Sequence, residues 1–251
     1  MPSFLTTVIE YADYNEIVKL LDELHNCKIR FWFMHKQGKI RLRTLDIDVK
    51  QVEKKVSQCN LIATQTLYEA ETYLFGGEKS IVYVHELLCD IGGIASRIKS
   101  LAKGCSQSGF DKCLCLHFVN QMIGYCQFDD FEEWDVWNKV CEQRRIDVKE
   151  YGEIILSKLY DVQQSVSCEQ FNLEVIDNEQ TAFYFSDIKR QCRKIVALAY
   201  CAKMTRGVRS IFSTVIIFAF NMMSISAQQQ CGFAHIMRAL TNPDFRREIG
   251  W

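Results

Sequence analysis

Lys39-Ile40-Arg41-Leu42-Arg43 places three cations at alternate positions. Side chains alternate along a strand, so Lys39, Arg41 and Arg43 would share one sheet face suited to carboxylates or other anions. The plainer reading is a solvated face paired with acids such as Glu69 and Glu71. Glu71-Thr72-Tyr73-Leu74-Phe75-Gly76-Gly77 supplies a carboxylate able to move protons, followed by two glycines that allow a tight turn or a close approach to a ligand. A simple strand-to-helix turn also uses such glycines. Ser210, Ser213 and Asn221 fall on one helical face, either presented to a cleft as substrate-binding groups or hydrogen-bonded within a helical core. Cys113, Cys115 and His117 have soft-ligand spacing, but zinc normally takes a fourth ligand and none is evident. Their alternation reads as a strand, and no metal site is expected.

Asn15 to Leu24 reads as a helix, with Ile17, Leu20, Leu21 and Leu24 at helical spacing. Arg30 to Met34 and Lys39 to Leu45 read as strands joined by the turn His35-Lys36-Gln37-Gly38. Val49 to Gln58 reads as a helix with Val52 and Val56 inward. Leu61 to Tyr68 reads as a strand and Ser80 to Cys89 as a helix that Asp90-Ile91-Gly92-Gly93 breaks. From Ile94 the pattern is mainly helical, with an acidic, tryptophan-containing stretch at Asp129 to Trp137. Ser167 to Ala182 reads as a loop or lid, and Ser186 to Leu240 as long helices. A β-rich first third followed by long helices predicts an α+β fold.

Of the 251 residues, 48% are hydrophobic, enough for one compact unit spanning 1–251. The formal net charge of -1 creates no long-range field favouring nucleic acid or an anionic membrane. Met1-Pro-Ser-Phe-Leu-Thr-Thr is not a basic stretch leading into a long apolar run. The twelve cysteines are therefore expected to be reduced, mostly buried thiols in a cytoplasmic protein. Ile211 to Ile225 is apolar but shorter than the about 20 residues of a spanning helix, and it reads as a core helix. Glycine-rich phosphate loops, dinucleotide fingerprints, nucleophile elbows and H-E-x-x-H helices are missing, so no cofactor is expected.

The arginine and glutamate clusters together resemble the C-terminal elimination domain of lantibiotic dehydratases and its stand-alone relatives in thiopeptide biosynthesis. Phe31-Trp-Phe-Met-His-Lys-Gln-Gly-Lys-Ile-Arg41-Leu-Arg43 looks like that family's aromatic strand, turn and R-L-R strand. Tyr68-Glu-Ala-Glu71-Thr-Tyr-Leu74-Phe75-Gly76-Gly77 looks like its Y-x-x-E-x-x-R-Y-G-G motif, and His85-Glu-Leu-Leu-Cys-Asp90 like the helix that follows. Phe128 to Trp137 resembles a later aromatic-acidic stretch more weakly. The resemblance extends over nearly the whole chain, with specific motifs in its first third.

Two departures direct the functional expectation. Leu74 stands where the family has its second arginine. Ile217 and Met222 stand where its late motif has histidine and arginine, while Asn221 is kept. A missing charged donor typically costs ~10²–10³ in rate, which argues against elimination of glutamate from a glutamylated peptide. The resemblance instead implies a pyridine synthase of the short, thiocillin type. Such an enzyme performs a formal aza-[4+2] cycloaddition of two dehydroalanines in a ribosomally made precursor peptide, a leader joined to a dehydrated, azole-containing core. Loss of water and expulsion of the leader complete the macrocycle. Glu71 is then the acid/base candidate. Arg41 and Arg43 orient peptide carbonyls or the iminol oxygen, and Tyr73 hydrogen-bonds the peptide. Ser210, Ser213, Asn221, Gly76 and Gly77 complete the expected substrate contacts. Partners are the precursor peptide and other thiopeptide-modifying enzymes. Rival readings are glutamate elimination using His85 or His235 as base, and a non-catalytic leader-binding scaffold anchored by residues such as Trp134 and Trp137.

Overall fold

The structure is a computed structural model describing residues 4–11, 13–36, 38–102, 110–145, 179–242 and 244. It is an α+β fold built on an antiparallel sheet of order β2-β3-β1-β4. The strands are β1 (Phe4–Glu10), β2 (Phe31–Lys36), β3 (Lys39–Leu45) and β4 (Ile62–Leu67). β2 and β3 form the expected hairpin, with Gly38 at φ +73° in its turn. β1 was not anticipated. Thr6 and Thr7 are buried within it, so its apolar alternation is broken by hydroxyls.

The register assigns the two faces. Ile9, Ile40, Leu42, Phe31 and Phe33 lie on one, buried in the core with the apolar stripes of α1 (Tyr14–Asn26) and α2 (Val49–Gln58). Trp32, Arg43 and Thr6 lie on the other. There α3 (Glu78–Ala102) and α7 (Val208–Met222) pack against β2. Between them in sequence lie α4 (Phe110–Gly124), α5 (Asp130–Gln143) and α6 (Glu179–Tyr200), and α8 (Ala227–Thr241) follows α7.

Several expectations change. Asp90-Ile91-Gly92-Gly93 does not end a helix, because α3 continues through it to Ala102. Glycine costs ~1 kcal/mol in a helix interior, and here tertiary packing requires it. A Cβ on Gly92 would stand 2.6 Å from the Phe31 carbonyl oxygen, and one on Gly93 2.7 Å from the Tyr184 ring. The segment holding Cys113, Cys115 and His117 is helix α4 rather than a strand; Cys115 is buried and His117 half-buried, so alternation was the wrong period. Among the described residues no group of three or more His, Cys, Asp or Glu could hold a metal. Of the expected lid Ser167 to Ala182, residues 167–178 lie outside the described residues and 179–182 open α6.

The apolar run from Ile211 forms most of α7, whose residues Ile211 to Phe220 are all buried. No described helix is long and apolar enough to cross a membrane. Cysteines among the described residues are free thiols, mostly buried, and Trp137 is a core residue.

Candidate functional site

Arg43 is the centre of the site. Its register partner across the hairpin is Trp32, and the guanidinium carbon lies 4.2 Å from the Trp32 ring centre and 5.2 Å from that of Tyr68. Arg43 is only 9% exposed, and its Nε and Nη1 have no hydrogen-bond partner among the described residues. Burial, and Arg41 nearby, pull its pKa below the ordinary value; Tyr68 and Glu71 oppose this. A guanidinium stays protonated in proteins. The result is a buried cation with unused donors, a state that costs a few kcal/mol and is only partly offset by the ~2 kcal/mol of a desolvated cation–π contact. Both nitrogens are themselves covered, so an acceptor reaches them only when the groups over them move aside.

Tyr68 follows β4 and reaches His85 on α3, Oη to Nε2, at 2.9 Å. His85 stacks on Trp32, meets Phe4 edge-on, and is 6% exposed. Burial, with Arg43 adding to it, pushes the imidazole down to about 4, so it is neutral at pH 7. Burial likewise raises the Tyr68 phenol well above its ordinary value. With the Nδ1–H tautomer of His85, the phenol donates its proton to Nε2. A neutral phenol and a neutral imidazole therefore sit beside a buried cation.

Glu71 lies at the exposed rim and interacts electrostatically with both Arg43 and Tyr68. It immediately precedes a run of turns over 72–76 that carries Tyr73, which is 77% exposed. Gly76 and Gly77 have φ of +84° and +101°. A Cβ at Gly76 would lie 2.6 Å from Ile211 Cδ1 on α7, and the Gly76 carbonyl accepts a hydrogen bond from Thr205 N–H at 3.0 Å. Arg206 adds a bond to the Leu74 carbonyl at 2.9 Å. These glycines seat the Glu71 turn against the segment before α7.

The open part of the same sheet face carries Arg41, Thr64, Thr66 and Ile62, all exposed, while Lys39 is paired with Glu10. It forms an extended surface leading to Arg43.

The structure brings Arg43, Glu71 and the glycine turn together and leaves Arg41 along the approach. It places the α7 group elsewhere. Ser213 is fully buried, accepts a hydrogen bond from Gln143 Nε2 on α5 at 2.8 Å, and donates to the Ser210 carbonyl at 2.9 Å. Asn221 Oδ1 accepts from Gln230 Nε2 on α8 at 2.8 Å. Ser210, Ser213 and Asn221 share a face as their spacing implies, but the residues of α7 that meet the sheet side are Ile211, at Gly76, and Phe218, against Trp32 and Phe75. Trp32 and Tyr68 received no role from the sequence, although both stand in the quoted motifs. The hairpin turn that sets Trp32 opposite Arg43 was the available signal.

Compared with known proteins, the chain matches no family model and no curated protein.

Proposed function

We propose that this chain is a cytoplasmic thiopeptide pyridine synthase with an elimination-domain-like fold. It joins two dehydroalanines of a precursor peptide by a formal aza-[4+2] cycloaddition, without a cofactor. The observation that supports the reading best is Arg43, buried against Trp32 with Nε and Nη1 unused among the described residues, beside the neutral Tyr68–His85 pair. Such a cation suits an amide oxygen that gains charge or a proton.

In this reading the peptide lies along the exposed Arg41 face and one amide reaches Arg43. Arg43 hydrogen-bonds the amide oxygen as the amide N–H proton moves and the iminol O–H forms. The two alkene carbons and the azadiene then close the six-membered ring. Tyr68 gives a proton to the departing hydroxyl, which leaves as water. His85 or Glu71 takes one ring proton as water leaves and returns it to Tyr68. It then takes a second and delivers it to the leader nitrogen, so that the C–N bond breaks, the leader departs as a carboxamide and the ring becomes aromatic. Holding both ends of one peptide in contact supplies much of the acceleration, up to ~7–11 kcal/mol in favourable cases.

The neutral imidazole beside a buried cation also fits a second reading, glutamate elimination, with His85 removing an α-proton and Arg43 receiving the expelled carboxylate.

The test is incubation with a leader-bearing peptide containing two dehydroalanines and azoles, followed by liquid chromatography and mass measurement. A macrocycle lacking leader and water, with a leader carboxamide released, supports the synthase. No change in that peptide but loss of glutamate from a glutamylated peptide supports elimination. Binding of both without turnover overturns both in favour of a scaffold.

A further inference from the structure

α3 packs against β2 and serves two places. His85 belongs to the Arg43 cluster. Farther along, Asp90 and Gly93 line a separate cavity of about 550 Å³ with Arg30, Phe31, Phe183 and Tyr184. Neighbouring residues of β2 divide in the same way, with Trp32 on Arg43 and Phe31 in the cavity.

The cavity is built at some cost. Gly92 and Gly93 weaken α3 so that the Phe31 carbonyl and the Tyr184 ring can approach it. Tyr184 is fixed by a hydrogen bond between its Oη and His25 Nδ1 at 2.9 Å. Arg30 uses only Nη2 in its contacts to Asp90 Oδ1, at 3.1 Å, and to the Glu86 carbonyl, at 3.3 Å. Asp90 is 3% exposed, and its Oδ2 has no partner among the described residues. The wall therefore presents a partly used guanidinium donor beside aromatic rings, with the Asp90 carboxyl behind it, whose covered Oδ2 becomes available once the side chain turns toward the cavity.

The charge balance selects the ligand. Above about pH 7, where Asp90 is ionised, Arg30 pairs with Asp90, and Asp187 pairs with Arg190 at 2.8 Å. An anion would meet Asp90 and Asp187, and a cation would meet Arg30 and Lys28. A neutral amide, with one acceptor and one donor, matches both halves of the Arg30–Asp90 pair. Phe183, 61% exposed, offers a ring to an adjoining apolar group.

We propose that this cavity is a second peptide-binding site, which takes an aromatic or large aliphatic side chain and holds the neighbouring backbone amide between Arg30 and Asp90. Its use by the precursor peptide rests on the reading of the substrate given above. It anchors the peptide away from the reacting residues, on the opposite side of β2.

The test titrates the full chain with N-acetyl-phenylalanine amide, followed by backbone amide NMR shifts. Saturable shifts around Phe31, Gly93 and Tyr184 are expected, with affinity about tenfold weaker in Phe183→Ala and in Asp90→Asn. Phe183 is exposed, so Phe183→Ala tests the site without disturbing the core. Absent or non-saturating shifts, or equal affinity in both variants, overturn the site. With the precursor peptide, Phe183→Ala should raise KM about tenfold and leave kcat unchanged. Turnover with an unchanged KM overturns the anchoring role and keeps the proposed reaction. Saturable probe binding without any peptide turnover keeps the site and removes the reaction.

Discussion

The Arg43 guanidinium lies 4.2 Å from the centre of the Trp32 ring, its direct cross-strand partner, while its Nε and Nη1, with three N–H bonds, find no acceptor among the described residues. This pair decides whether the sheet face is a reactive surface or only a solvated one. An arginine kept for stability would be expected to use its donors. Arg43 instead spends its apolar plane on Trp32 and leaves hydrogen-bonding capacity unused beneath the surface.

Arg43→Met should separate activity from stability. Replacing a buried, incompletely paired charge by an apolar side chain of similar length is often neutral or stabilising by ~1–4 kcal/mol. Loss of a preorganised donor to the reacting oxygen should lower kcat by ~10²–10³. Arg43→Lys keeps the charge but loses the planar stack, and should remain strongly impaired. Urea unfolding and peptide conversion, measured on the same samples, check this. A large stability loss with normal turnover of the folded protein would make Arg43 a structural residue.

The glycine turn offers a contrast of two positive-φ positions. Gly76→Ala combines an unfavourable φ with a Cβ 2.6 Å from Ile211 Cδ1, whereas Gly38→Ala meets nothing within 4 Å. Gly38→Ala should cost ~1–2 kcal/mol from backbone strain alone. Gly76→Ala should cost ~2–4 kcal/mol and displace the Glu71 turn, lowering activity as well. Equal unfolding midpoints for the two variants would show that the Gly76 contact relaxes freely.

Ser213→Ala should reduce stability and spare the chemistry. The substitution removes the acceptor for Gln143 Nε2; Gln143 is exposed and its amide can turn to water, so the loss is the ~0.5–1.5 kcal/mol of one net hydrogen bond. Turnover per folded molecule should be unchanged. A fall in kcat with an unchanged unfolding curve would return Ser213 to the substrate site.

The elements differ in how far local pattern could reveal them. The β2–β3 hairpin and α1 were legible because aromatic or β-branched runs, and leucines at helical spacing, agree with their final environments. β1 was not, since Thr6 and Thr7 are both buried and erase its alternation. Gly92 and Gly93 gave a valid local signal for a break that the approach of Phe31 and Tyr184 overrides. At the site, charge drew attention to Arg43 and Glu71. The joining of Trp32, Tyr68 and His85 depends on strand register and on where α3 lies, which spacing alone does not contain. The common face of Ser213 and Asn221 was legible, but its direction is set by the packing of Ile211 and Phe218.

Acid should destabilise the fold, and Asp90 should moderate the loss. Burial holds His35 and His85 down at about 4, while an unfolded histidine titrates near ~6.5. On acidification below ~6.5 the unfolded chain takes up these protons first, so stability present above that value is lost between ~6.5 and ~4. Asp90 acts in the opposite sense. Burial raises its carboxyl to about 7, against the contrary pull of Arg30, so between ~4 and ~7 the folded chain holds a proton that the unfolded chain has released. Its contribution is present at low pH and lost as pH rises through about 7. His117 and His235, also held below the ordinary value by burial, add to the two imidazoles, while Asp48, raised by burial, adds to Asp90; the imidazoles prevail and stability increases toward neutral pH. In Asp90→Asn one opposing proton is gone, and the slope should steepen by up to about 1.4 kcal/mol per pH unit. Urea unfolding between pH 4.5 and pH 6.5 measures both chains. A shallower slope in Asp90→Asn than in the parent would show that Asp90 is ionised in the fold across this range, and that Arg30 outweighs its burial.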